Sequence, residues 1–127
     1  MLRRPVLALL ACFALLTPAL AGEIVPFAAA RLSAEQAAGS PILIHVTAPW
    51  CPTCRAQHPI VSQLVADPAN RDLVVFEVDF DSQKDVLRRL NVRQQSTLIA
   101  YRGAEERGRA VGITNPTAIA ALVAQTR

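Results

Sequence analysis

The stretch Ile42-Leu43-Ile44-His45-Val46-Thr47-Ala48-Pro49-Trp50-Cys51-Pro52-Thr53-Cys54-Arg55 decides the fold. Its apolar, β-branched run predicts a buried strand, and the two cysteines follow where a helix should begin. A thiol at a helix N-terminus faces unpaired N–H groups and the positive end of the dipole, which favour its thiolate. The second thiol, nearly one turn later, can resolve a mixed disulfide formed by the first. We therefore expect Cys51 to be the exposed nucleophile and Cys54 the sheltered resolving thiol.

Other uses of two cysteines fit the sequence less well. A zinc site needs two further ligands, and the only histidines are His45, inside the strand, and His58, within the helix. Haem attachment needs a histidine directly after the second cysteine, where Arg55 stands. A permanent structural disulfide would gain little because the loop that it closes is so short. The redox interpretation is favoured, with no metal.

The segment Trp50-Cys51-Pro52-Thr53-Cys54, followed by Pro59, resembles the active-site helix of the thioredoxin family. In that family too, a proline sits five residues after the second cysteine. Val92-Arg93-Gln94-Gln95-Ser96-Thr97-Leu98-Ile99 resembles the family's segment opposite the active site, and the likeness covers roughly residues 40–127. It implies an α/β, thioredoxin-like three-layer fold, with a central mixed β-sheet flanked by helices. The resemblance also implies that five residues shape the site: Trp50, Pro52, Thr53, Gln95 and Ser96.

Ser96 departs from the family pattern, since it stands where the family carries a cis-proline. A cis bond before a residue other than proline costs about 2.5–4 kcal/mol, so we predict a trans Gln95–Ser96 bond. The loop should still face Cys51, with a hydroxyl and an N–H that proline would lack.

Two polar residues interrupt apolar strands. His45 stands where thioredoxins carry a buried aspartate, and Glu77 stands near the position of a lysine. An ionisable group in a buried strand is costly unless it is paired. We predict that His45 is the general base that takes the Cys54 proton, while Glu77 orients its imidazole. The alternative is that His45 only fills space and bonds to a backbone carbonyl.

The N-terminal residues resemble a secretory leader. Arg3 and Arg4 precede an apolar stretch, and Ala19-Leu20-Ala21 is a small-residue cleavage pattern. We predict that residues 1–21 are a cleaved signal peptide and residues 22–127 a single domain, placing the protein in the periplasm or outside the cell. A retained membrane anchor is the alternative.

The charge of the chain without its leader is nearly balanced. Removing Arg3 and Arg4 reduces the number of basic residues from 13 to 11, against 10 acidic ones. No basic run with interleaved aromatics appears, so nucleic acid is not an expected partner.

The pattern of apolar residues predicts alternating strands and helices. The first two central strands should be parallel, and the chain should end in a hairpin around Gly103 and a helix after Asn115. We expect Asp81 or Ser82 to cap the third helix and Glu105-Glu106-Arg107 to lie in the hairpin loop. The predicted strands are 23–27, 41–47, 73–80, 97–101 and 108–113, and the predicted helices are 28–39, 52–66, 82–90 and 116–125.

Together these features predict a thiol–disulfide oxidoreductase that reduces protein disulfides, with the Cys51–Cys54 dithiol as its only redox group. The resemblance to exported thioredoxins implies a membrane thiol carrier as electron donor, and we expect a monomer. One alternative is a disulfide-forming oxidase of the same fold. Another is a metallochaperone that binds Cu(I) through the same two cysteines.

Overall fold

In a computed structural model that describes residues 14–15 and 21–127, five strands and four helices follow one another along the chain. The predicted leader, residues 1–21, lies outside the described residues except at positions 14, 15 and 21. Within the part that is described, no helix is long and apolar enough to cross a membrane. The elements are β1 (Glu23–Pro26), α1 (Ala29–Ala37), β2 (Pro41–Thr47), α2 (Pro52–Ala66), β3 (Val74–Asp79), α3 (Lys84–Arg89), β4 (Thr97–Arg102), β5 (Glu105–Val111) and α4 (Pro116–Ala124).

The strands form one mixed sheet in the order β1-β3-β2-β4-β5. Strands β1 and β2 both run parallel to β3, whereas β4 runs antiparallel to β2 and β5 antiparallel to β4. Helix α2 carries the chain from β2 to its parallel neighbour β3, as a crossover connection requires. The predicted arrangement, a mixed sheet with a parallel first pair and an antiparallel hairpin, is confirmed.

Strand β2 at the centre of the sheet buries both of its faces. Successive side chains of a strand point to opposite sides, so one face carries Ile44 and the other Leu43. Ile44 belongs to a core with Leu87 of α3, and Leu43 to a second core with Val61 of α2 and residues of α4. His45 lies two positions after Leu43 and therefore faces α2. Helices on both sides of the sheet explain why this strand is apolar except at His45 and at its last residue, Thr47.

The register places Glu77 of β3 directly beside His45 of β2. Partners in a parallel pair project to the same face, so Glu77 also lies on the side of the sheet that α2 covers. Helix α2 begins just beyond the carboxyl end of β2. The sheet thus brings the two polar strand residues and the start of the Cys-x-x-Cys helix to one side of the molecule.

The bounds predicted for β2 and α2 agree with the structure, but two details differ. Helix α3 begins at Lys84 after Gln83, without a side-chain cap from Asp81 or Ser82. Gln83 instead accepts a hydrogen bond from the backbone N–H of Asp79, which holds the turn.

The second difference is that the charged segment after Gly103 belongs to β5 rather than to a loop. Gly103 has a φ of +58°, which permits a turn of two residues between Arg102 and Glu105. Strand β5 is an edge strand with one free side, so charged side chains do not prevent pairing. The opposite edge is β1, a strand of four residues that contains Pro26. A proline fits this place because it cannot donate to a neighbouring strand.

Candidate active site

Cys51 and Cys54 form a disulfide at the start of α2, with Cα atoms 5.3 Å apart. Cys51 is the N-cap residue of the helix, and its sulfur accepts a hydrogen bond from the backbone N–H of Cys54 at 3.1 Å. One of the free N–H groups of the helix start is therefore aimed at the first sulfur, as a thiolate at that position would require.

The expectation of an exposed Cys51 is wrong for this disulfide form. Only 1% of Cys51 and 0% of Cys54 is exposed. Both residues pack together with Ala48, and the partly buried ring of Phe80 lies against this cluster. Residues from other segments of the fold bury Cys51, and its position at a helix start does not predict those contacts. The roles of nucleophile for Cys51 and resolving thiol for Cys54 remain predictions.

The hydroxyl of Ser96 lies 3.1 Å from the sulfur of Cys51 and 3.1 Å from that of Cys54. The Gln95–Ser96 bond is trans, as predicted. The Ser96 N–H donates to the carbonyl of Val46 at 2.8 Å, and its own carbonyl accepts from the N–H of Gly112 at 3.0 Å. These backbone bonds tie the loop to β2 and to the end of β5, so the hydroxyl is held against both sulfurs.

Ser96 has a φ of +61°, in the left-handed region that residues other than glycine rarely adopt. Such a conformation costs on the order of 1–3 kcal/mol and persists only where the surroundings fix it. Here the backbone hydrogen bonds supply that constraint. The backbone strain at Ser96 therefore lies in the same residue whose hydroxyl contacts both sulfurs.

The other residues implied to shape the site surround the disulfide. Trp50 is 54% exposed, its ring packs edge-on against Phe80 at 6.4 Å, and its indole N–H donates to Asp81 at 2.8 Å. The indole thus forms an exposed apolar surface beside the disulfide, fixed in orientation by its one polar atom. Between the cysteines, Pro52 is exposed and Thr53 half-buried, and half-buried Gln95 precedes Ser96.

Gln57, which the sequence analysis did not single out, is the buried polar centre of the site. Its side-chain NH₂ group donates to the carbonyls of Ser96 at 3.1 Å and Ile113 at 2.9 Å. Its oxygen lies 3.0 Å from Nε2 of His45. Turning the amide over would place its oxygen against two carbonyls, so the NH₂ orientation is fixed and the oxygen must accept from His45. Gln57 therefore sets the tautomer of His45, with the proton on Nε2.

A signal for Gln57 does exist in the sequence. The buried stripe of α2 consists of Cys54, Gln57, Val61 and Val65, at helical spacing. Gln57 is the only polar amide in that stripe. A polar side chain at such a position is buried and needs hydrogen-bond partners, which would have marked it as part of the site.

His45 is fully buried, and among residues 14–15 and 21–127 its Nδ1 atom has no hydrogen-bond partner. The pKa of His45 is lowered to about 4, chiefly by burial; the hydrogen bond to Gln57 opposes this effect, and the neighbouring His58 adds to it. The imidazole is therefore neutral at pH 7. Because Gln57 holds the proton on Nε2, the lone pair of Nδ1 is the free one.

The expected orientation of His45 by Glu77 requires correction. In the part of the chain that the structure describes, the two side chains share a face, but Gln57 rather than Glu77 bonds to the imidazole. Glu77 instead lies beside His58, with Oε1 3.8 Å from Nδ1. The carboxylate is 38% exposed, so it stays hydrated at the mouth of the site and does not have to pair with the buried ring.

His58 is half-buried on α2, as predicted, but it is close to the two polar strand residues. Its ring centroid is 5.0 Å from that of His45, and its Nε2 is 3.1 Å from the hydroxyl of Thr47. The sequence argument kept His45 and His58 apart because one lies in a strand and the other in a helix. That argument fails because helix α2 packs directly over β2.

The chain is similar in sequence to known thioredoxins. The family model described as Thioredoxin matches residues 27–125. The chain is 33% identical over 72 residues to chloroplastic thioredoxin M4 of Arabidopsis thaliana, a match that covers 57% of this chain and 37% of the relative. The chain thus spans well under half the length of that relative.

Solved structures show the same fold. Trxlp from Edwardsiella tarda EIB202 is 44% identical with a TM-score of 0.78, over 80% of this chain and 98% of that one. Thioredoxin O2 from Arabidopsis thaliana in its oxidised state superposes with a TM-score of 0.69 at 21% identity, over 80% of this chain and 92% of that one. The match to the family model covers most of the chain and includes Cys51 and Cys54. The chain therefore belongs to the thioredoxin family of thiol–disulfide oxidoreductases, with Cys51 and Cys54 as its Cys-x-x-Cys active site.

Proposed function

We propose that this chain is an exported reductase of protein disulfides. The observation that carries the proposal is the Cys51–Cys54 pair at the start of α2, with the Ser96 hydroxyl 3.1 Å from each sulfur. The Cys51 thiolate attacks a substrate disulfide, forms a mixed disulfide and releases one substrate thiolate. The Cys54 thiolate then attacks the sulfur of Cys51, which closes the internal disulfide and releases the second substrate thiolate. Two electrons pass from the dithiol to the substrate.

Two observations support the direction and the compartment. In residues 21–127, helix α2 connects β2 to β3 without an inserted helical domain that would hold unfolded chains, so we favour reductase over disulfide-forming oxidase. The positive, apolar and small-residue segments of residues 1–21 favour export to the periplasm or beyond. A reductase in an oxidising compartment must be recharged, and we propose a membrane thiol carrier as donor and a monomer as the working form.

The reduction potential of the Cys51–Cys54 pair tests the direction. Redox equilibration with glutathione or dithiothreitol, followed by quantification of the free thiols, should give a value near that of thioredoxin, about −270 mV. A value near −120 mV would instead identify an oxidase. The Cys51→Ser variant is the control, because it cannot form the pair. Fractionation of cells that express the full chain, with N-terminal sequencing of the product, tests export and predicts Gly22 as the first residue.

The Ser96 hydroxyl is placed to stabilise whichever sulfur carries negative charge. Because it is 3.1 Å from both sulfurs, it can donate first to the Cys51 thiolate that attacks the substrate and later to the Cys54 thiolate that resolves the mixed disulfide. A hydrogen bond to a charged group contributes about 1.5–3 kcal/mol. The chain has this donor because residue 96 is a serine, whereas the proline of the family pattern has no hydroxyl.

Replacing Ser96 by Ala should therefore slow mixed-disulfide formation by roughly tenfold or more, since about 1.4 kcal/mol corresponds to tenfold in rate. Stopped-flow measurement with a fluorescent disulfide substrate checks this. Thr53→Ala is the matched control, because it removes a hydroxyl from between the cysteines that makes no described bond to sulfur. Equal rates for Ser96→Ala and the unchanged protein would remove the hydroxyl from the mechanism.

His45 remains our proposal for the proton acceptor during resolution. Gln57 links its imidazole to the Ser96 backbone, and the Ser96 hydroxyl contacts Cys54. Because Gln57 keeps a proton on Nε2, the accepting atom is Nδ1, and the proton has to reach that side of the ring rather than pass through Gln57. We expect His45→Asn to slow release of the mixed disulfide while leaving its formation by Cys51 unchanged. Quenched-flow trapping of the mixed disulfide separates the two steps. Equal slowing of both steps would show that His45 only supports the structure.

His45 also predicts how stability depends on pH. Its pKa is about 4 in the folded chain and 6.5 when unfolded, so between these values the unfolded state binds the proton more tightly. The free energy of unfolding should fall as pH drops from 6.5 to about 4, by up to roughly 3 kcal/mol for this group. Denaturant titrations at several pH values measure it. His45→Asn removes the titrating ring, so this variant should lose less stability than the unchanged protein over the same pH range. If both proteins lose the same amount, another group causes the loss.

A further inference from the structure

A second cluster of chemically active side chains lies beside the dithiol but contains neither cysteine. His45, His58 and Glu77 each offer one potential metal-ligand atom, and the three atoms all lie within 4.8 Å of one another. Glu77 and His58 border a surface cavity of about 370 Å³, together with Thr47 and Asp79. His45 forms the buried floor of the cluster, and the two half-exposed residues form its mouth.

Both histidines have the same nitrogen engaged. Nε2 of His45 donates to the fixed oxygen of Gln57, and Nε2 of His58 is 3.1 Å from the hydroxyl oxygen of Thr47, which can accept its proton. Histidines that bind metals almost always donate their second ring N–H to such an oxygen, which fixes the tautomer and the ring orientation. Nδ1 of His45 is therefore available, and Nδ1 of His58 is available when the Thr47 hydroxyl accepts from Nε2.

The free nitrogen of His45 is the observation that calls for a ligand. Nδ1 of His45 is buried and unpartnered among the described residues, although a buried acceptor without a partner is destabilising. Nδ1 of His58 lies 3.8 Å from Oε1 of Glu77, which is close to the ligand spacing of about 3.4 Å around a tetrahedral zinc ion. His58 and Glu77 are 41% and 38% exposed, so their side chains can adjust to close the remaining gap.

We propose that His45, His58 and Glu77 bind one divalent transition-metal ion of the zinc class, with Nδ1 of each histidine and one carboxylate oxygen as ligands. Two neutral imidazoles and one carboxylate are a ligand set that Zn²⁺ accepts, with a fourth position left for water. The three ligands come from two strands and one helix, so the ion would link α2 to β2 and β3. This site goes beyond the proposed redox function and does not depend on it, although an ion bound to Nδ1 would prevent His45 from accepting a proton.

The test uses the oxidised full chain with the substitution Cys12→Ser, in which Cys51 and Cys54 are tied in the disulfide and no other cysteine is present to bind the metal. Isothermal titration with Zn²⁺ should show one ion per chain. His58→Ala and Glu77→Gln should each weaken binding by about tenfold or more, since even outer partners of a metal site typically contribute that much. Asp85→Asn is the matched control, because it removes an equally negative but distant carboxylate and should leave Zn²⁺ affinity unchanged.

The ring nitrogens of His45 give an independent readout that needs no substitution of the buried residue. Long-range ¹H–¹⁵N spectra should show Nδ1 of His45 and of His58 shifting when Zn²⁺ is added, while both Nε2 atoms stay protonated. The proposal is overturned if the oxidised protein binds no zinc, or if His58→Ala and Glu77→Gln bind it as tightly as Asp85→Asn. Binding seen only after reduction, and lost in Cys51→Ser, would place the ion at the dithiol and also overturn it.

Discussion

The side-chain amide of Gln57 uses all of its hydrogen-bonding groups inside the protein. Its NH₂ group donates to backbone carbonyls in two different loops, and its oxygen accepts a hydrogen bond from the imidazole of His45. This one side chain therefore connects α2, the Ser96 loop, the segment before α4 and the central strand. Losing it would leave several buried polar groups unpaired, each at about 1–3 kcal/mol. The position of the Ser96 loop and the tautomer of His45 both depend on this contact.

The polar side chains beneath the disulfide form two sets that differ in their exposure to water. Ser96 and Gln57 are almost completely buried and form a rigid set of hydrogen bonds next to the sulfurs. His58 and Glu77 are open to water and adjust easily. His45 lies between the two sets, and it donates to the buried one. Chemistry at the sulfurs therefore takes place in a fixed environment, while the side chains at the hydrated edge can change position.

Much of the fold could be predicted because it depends on local patterns. The bounds of β2 and α2 follow from a β-branched run, a Pro at the start of a helix and Asp67-Pro68 at its end. The start of β5 could not be predicted, because edge pairing tolerates charge and only the turn at Gly103 fixes its register. The pairing of β2 with β3 was inferred correctly, and it placed His45 beside Glu77.

The hydrogen bonds of the site were harder to predict than its location. The residues flanking the dithiol follow from the likeness to the family, and the trans bond before Ser96 follows from the cost of a cis bond. The partner of His45 could not be read from strand register alone. Gln57 and His58 come from the helix packed above the sheet, and their contacts depend on how α2 is rotated over β2. That rotation is a property of packing between elements and not of either sequence segment.

The two edge strands also determine how other chains can approach. One edge, β1, has only four residues and ends in Pro26, which has no N–H to donate. The other edge, β5, carries Glu105, Glu106, Arg107 and Arg109 along its length. Short strands, proline and charge all make a sheet edge a poor template for adding a foreign strand. The sheet therefore resists edge-to-edge aggregation with other chains.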